Sequence, residues 1–131
     1  MVRPKSTQPT DLELEILKIL WDRSPLAVRE VREALEAAGR VLAHTSVITT
    51  LNVMVGKKYL SRSMQGNSCL FSPKVAREEV TGRMLGDVVR RAFDGSAKAV
   101  MLSLFESSEL DADELKELRQ ILNRKTKEQS Q

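Results

Sequence analysis

Residues 44–71 read HTSVITTLNVMVGKKYLSRSMQGNSCLF, and a change of period inside this stretch decides the fold. From His44 to Lys57 the apolar residues recur at helical spacing. At about 100° per residue, Val47, Ile48, Leu51, Met54 and Val55 gather on one side. Thr45, Ser46, Thr49, Asn52, Val53 and Gly56 occupy the other. Beyond Lys58 the helical period stops. Residues 59–62 and 68–71 are short extended segments around Gln65-Gly66-Asn67, which is a hairpin signal.

Two helices precede this stretch. Thr10-Asp11-Leu12-Glu13 forms a capping box and opens a helix with Leu12, Ile16, Ile19 and Leu20 on one face. That helix ends near Asp22, because Ser24-Pro25 cannot continue it. A second helix over 28–38 turns Val28, Val31 and Leu35 inward and stops at Gly39. Three helices followed by a two-stranded hairpin is the order of a winged helix-turn-helix. That architecture lays its third helix in a DNA groove and its hairpin beside the backbone. The expected fold is mainly α, with a winged-helix DNA-binding domain over 10–73 behind a disordered tail at 1–9.

Pro73 breaks the hairpin, and three more helices follow, over 75–93, from Ser96 to about 105, and from Asp111 onward. Phe93-Asp94-Gly95-Ser96 reads as a stop and a new cap, and Asp111-Ala112-Asp113-Glu114 as a second box-like start. Their apolar stripes are rich. The second helix carries Val100, Met101, Leu104 and Phe105, and the third carries Leu115, Leu118, Ile121 and Leu122. A winged-helix core does not need them. They either pack back on the first domain or meet the same helices of a second subunit, and the second solution is the more economical. A dimerisation domain is therefore expected over 74–125, with a frayed tail at 126–131.

Charge is unevenly placed. The chain carries +3 overall, but the 41 residues between Glu36 and Glu78 contain no acid and carry +6. The segments before and after carry −1 and −2. A basic middle with near-neutral ends suits a surface facing a polyanion. The short hydroxyl and amide side chains opposite the apolar side of the third helix are poor helix formers, yet they suit contact with base edges and phosphates. The candidate DNA-binding residues are Arg40, His44, Thr45, Ser46, Thr49, Thr50, Asn52, Lys57, Lys58, Arg62 and Asn67. The competing reading is a winged-helix adaptor that binds a protein through the same face.

Other classes find little support. One His and one Cys give no ligand set for a metal, and no cofactor motif is present. No nucleophile elbow or phosphate loop appears, so an enzyme is not expected. A single cysteine, Cys69, fits a reducing compartment. No apolar run approaches a membrane span and no signal peptide is visible, so the expected location is the cytoplasm.

Four runs together resemble one family: TDLELEILKILWDRSPLAVREVREAL, TSVITTLNVMVGKKYLSR, FDGS and ELDADELKELRQIL. Over about residues 8–125 the chain resembles the penicillinase-repressor (BlaI/MecI/CopY-type) regulators. The resemblance implies a homodimeric winged-helix repressor on palindromic operators, released in some members through a membrane sensor-protease system. It implies that 44–57 is the recognition helix, 61–71 the wing and 76–125 the dimerisation domain. Three positions depart from the family pattern. Val53 stands where Arg is common, Lys58 where Gly is common, and Gly66-Asn67 where Gly-Arg is usual. They imply a divergent operator or weaker binding, with altered turn chemistry at Lys58. The Asn-Phe bond cut in antibiotic-responsive members corresponds to Ser103-Leu104. The paired C-terminal cysteines of copper-responsive relatives are missing.

Overall fold

Thr10 opens the first helix, α1 (Asp11–Asp22), with both halves of its capping box in place. The Thr10 hydroxyl accepts from the Glu13 N–H at 3.2 Å, and the Glu13 carboxylate accepts from the Thr10 N–H at 2.8 Å. The computed structural model describes residues 8–130. Among them, strand β1 (Leu26–Ala27) is followed by α2 (Val28–Ala37), α3 (His44–Gly56), β2 (Leu60–Gln65) and β3 (Ser68–Pro73). Helices α4 (Arg77–Phe93), α5 (Ala97–Ser107) and α6 (Ala112–Gln129) complete the chain.

The sheet has three antiparallel strands in the order β1-β3-β2: the two-stranded wing expected from sequence is the β2-β3 hairpin, and β1, which was not expected, adds to its β3 side. Leu26 lies opposite Phe71 and Ala27 opposite Leu70. Two residues are too few to show alternation, so β1 leaves no periodic signature. Its anchor is Leu26, which is buried in the core. Strand β3 is thus the central strand, which explains why Phe71 is almost fully enclosed.

Ile16, Leu17 and Leu20 of α1, Val31 and Leu35 of α2, and Val47, Leu51 and Met54 of α3 are all 0% exposed. Each such side chain contributes about 1.5–3 kcal/mol through burial. All but Leu17 belong to the faces that helical periodicity assigned, whereas Leu12, Ile19, Val28, Ile48 and Val55 of those faces are only half-buried. Trp21 is half-buried against them, and its indole N–H donates to the Val75 carbonyl at 2.8 Å. The Arg77 guanidinium lies over the Trp21 ring, 5.1 Å from its centroid. These contacts dock the start of α4, and Val80 and Met84 then pack on the same core. The first compact unit consequently ends at Gly86, within α4, and not at residue 73.

Residues 8 and 9 differ from the expected tail. Gln8 and Pro9 are half-buried and line a small cleft with Tyr59, Val75 and Met84. The rest of that tail, 1–7, lies outside the described residues.

The second unit starts at Asp87. Ser96 caps α5 by accepting from the Ala99 N–H at 3.0 Å, and Asp111 caps α6 by accepting from the Glu114 N–H at 2.8 Å. Helix α6 runs on to Gln129, past the fraying expected from 126. Residues 124–129 are compatible with a helix, and Lys127 in its last turn suits the macrodipole. No residue of α5 or α6 is buried.

Candidate nucleic-acid interface

The outward face of α3 is the candidate site, and its two ends are held differently. At the N-terminus, Ala43 is the N-cap and offers no side-chain hydrogen bond, and the first turn holds no acid. Helices α1, α5 and α6 are each closed by a hydroxyl or carboxylate at the same place. Orphan N–H groups and the positive end of the helix dipole therefore face outward beside His44 and Thr45.

The C-terminus is locked. Tyr59 N–H donates to the Met54 carbonyl at 2.9 Å and Lys58 N–H to the Val55 carbonyl at 3.0 Å. This is a Schellman closure, with Tyr59 and Met54 both buried as its apolar contact. Its left-handed residue is Lys58, at φ +68°. This is the turn conformation that normally calls for Gly. A lysine there costs about 1 kcal/mol of backbone strain.

A long-range ion pair adds a second lock. Lys57 Nζ donates to both oxygens of Glu13, at 3.1 and 3.0 Å. Glu13 is the α1 capping-box carboxylate, and its side chain is only 4% exposed. One carboxylate therefore ties the start of α1 to the end of α3. Lys57 was expected at a phosphate, whereas its ammonium group is committed to Glu13. Glu13 itself escaped the sequence reading as a site-positioning residue. Its partner lies 44 residues away, and no local pattern signals such a pair.

The remaining candidates divide into paired and open side chains. Arg40 pairs with Glu15. The Thr50 hydroxyl donates to the Ser46 carbonyl of its own helix at 2.9 Å. Arg62 of β2 donates to the Asn52 side-chain oxygen at 2.8 Å, joining β2 to α3. Because guanidinium only donates, this bond engages the Asn52 oxygen and not its NH₂, which is left to act as a donor. His44, Thr45, Ser46, Thr49 and Lys58 are exposed. Asn67 is exposed at the hairpin tip, next to Gly66 at φ +62°. Val53 is exposed at 46%, an apolar side chain in a polar stripe.

Behind the face, the Tyr59 phenol has a displaced pKa. Burial raises it above the ordinary phenol value and Glu13 adds to the rise, while Lys57 and Arg83 oppose it. Among the described residues, no three His, Cys, Asp or Glu side chains gather as a metal site. None of the described helices is long and apolar enough to cross a membrane.

In the second unit Met101, Leu104, Phe105, Leu115, Ile121 and Leu122 are 44–59% exposed. Val100 and Leu118 are half-buried. Ser103-Leu104 lies inside α5, where the Ser103 carbonyl also accepts from the Ser107 hydroxyl at 2.7 Å. A protease would have to unwind this helix to reach that bond.

A sequence model of the penicillinase repressor matches residues 9–124. The chain belongs to the penicillinase-repressor family. The transcriptional regulator BlaI of Mycobacterium tuberculosis is 33% identical over 120 residues, covering 90% of this chain and 85% of that protein. The penicillinase repressor of Bacillus licheniformis is 26% identical over 118 residues, covering 90% and 91%. The solved DNA-binding domain of the repressor BlaI matches at a TM-score of 0.50 and 23% identity, covering 59% of this chain and 93% of that one. That likeness establishes the winged-helix fold of the first unit.

Proposed function

We propose that this family member is a DNA-binding transcriptional repressor that acts as a homodimer on palindromic operators. Family membership supports the repressor role. The observation that carries DNA contact is the α3 face, on which Thr45, Ser46, Thr49 and Val53 are exposed in a segment without acids. Thr45, Ser46 and Thr49 face base edges, with the donor NH₂ of Asn52 beside them. Lys58, Asn67 and the open helix N-terminus take phosphates. Arg62 holds Asn52 in place and reaches the backbone from the wing.

One such helix reads a few base pairs, so useful affinity needs two half-sites held about 34 Å apart. The exposed apolar side chains of α5 and α6 support dimerisation through the second unit, because large apolar surface left open in one chain marks an interface. The reading gives the chain no catalytic role and places it in the cytoplasm with its DNA. Release by a membrane sensor-protease system would have to cut within α5, and mass spectrometry of the chain recovered from derepressed cells tests that route.

Anisotropy on an inverted-repeat duplex tests the main reading. With roughly 6–10 phosphate contacts per dimer, affinity falls about 10³–10⁵-fold between about 50 and 200 mM salt. Salt-independent binding would overturn it.

A further inference from the structure

Val53 is the anomaly of the recognition face. Its neighbours on the stripe are hydroxyls and amides, yet it presents a branched apolar side chain that is 46% exposed and packs into no core. Helical side chains lean toward the N-terminus, so a residue is shaded by those three and four positions later. Here neither shades it. Gly56 has no side chain, and Lys57 is drawn away to Glu13 at 3.0 Å.

Gly56 has no internal reason to be glycine. A Cβ built there meets nothing within 4 Å, and its φ is not left-handed. Glycine in a helix is unfavourable relative to alanine, so the fold alone would be served better by alanine. Val53 is therefore left bare beside Gly56, an apolar side chain among polar ones in a segment without acids. The occupant must be small, apolar and presented by DNA in the major groove. The thymine 5-methyl group answers that description, since it is the apolar mark among the base edges there.

We infer that Val53, uncovered by Gly56, reads the 5-methyl group of a thymine in each operator half-site. This rests on the DNA-binding reading above and adds a specificity-determining residue to it. The probe is the duplex that the full-length chain selects from a random-sequence pool. It is resynthesised with deoxyuridine in place of each thymine in turn, which deletes the methyl and keeps every hydrogen-bonding group.

One thymine per half-site is expected to lose about fourfold in affinity on losing its methyl, and roughly fifteenfold when both half-sites are changed. Val53→Ala should abolish sensitivity at that position alone, leaving the rest of the uridine profile intact. Gly56→Ala should blunt the same sensitivity while raising Tm by about 4–8 °C. A flat uridine profile, or a Val53→Ala profile identical to that of the wild type, overturns the Val53 assignment while the repressor reading stands. Failure to select any duplex overturns both.

Discussion

The two units of this chain are built from similar amounts of helix, yet they bury their apolar residues in opposite ways. In the first, Ile16, Leu17, Leu20, Val31, Leu35, Val47, Leu51 and Met54 are completely enclosed. In the second, the stripes of α5 and α6 contain no buried residue at all. The first unit therefore carries its own core, so its stability is set within one chain. The second has apolar surface without a cover, so its stability should depend on a second copy and on concentration. The proposed function thus assigns reading and pairing to parts with different physics.

The sharpest way to break that contrast is Leu122→Asp. Leu122 is 59% exposed in the single chain, so the substitution removes nothing from a core. It should yield monomers by sedimentation and lower operator affinity by about 10²–10⁴-fold, because the half-sites are no longer linked. A variant that stays dimeric would place the interface elsewhere. The complementary change is Leu51→Ala, which should cost about 2–5 kcal/mol in urea unfolding. That loss should not vary with protein concentration; a concentration dependence would show that the first unit is not independent.

Smaller changes sharpen the picture inside the first unit. Lys58→Gly should stabilise it by about 0.5–1 kcal/mol, since glycine adopts the left-handed turn without strain. The same change should weaken operator binding by removing a cation. Unchanged affinity would take Lys58 out of the interface. The smallest effect concerns Tyr59, whose pKa is raised by burial and by Glu13. A phenol that holds its proton more tightly when folded contributes stability below the ordinary tyrosine range, near 10, and loses it as pH climbs through the raised value. Ultraviolet titration of the folded chain should show Tyr59 ionising late, and a midpoint at or below the ordinary value would contradict the burial.

How much of this was legible in the sequence follows the range of the interactions. Capping at Thr10, Ser96 and Asp111 uses groups within three residues, and each was readable. The inward and outward faces of α3 follow from period alone, and so does the hairpin from its Gly66-Asn67 turn. The pairs that lock the site were not readable. Lys57 finds Glu13 only once α1 and α3 have packed, and Arg62 finds Asn52 only once the wing folds beside the helix. Strand β1 was missed because two residues carry no period. The division at Gly86 was missed because Val80 and Met84 read as parts of a continuous helix, with nothing local to say which core they join.

The outward face of α3 supports no packing of its own: Thr45, Ser46, Thr49 and Val53 are all exposed while the buried face and the Glu13–Lys57 pair hold the helix from behind. Substitutions at those four positions should leave folding nearly untouched, typically within about 0.5 kcal/mol. The face can therefore be rewritten independently of its scaffold. On the proposed reading, operator preference drifts by single exposed residues without compensating changes in the core, and exchanging the same four side chains in the laboratory retargets the protein.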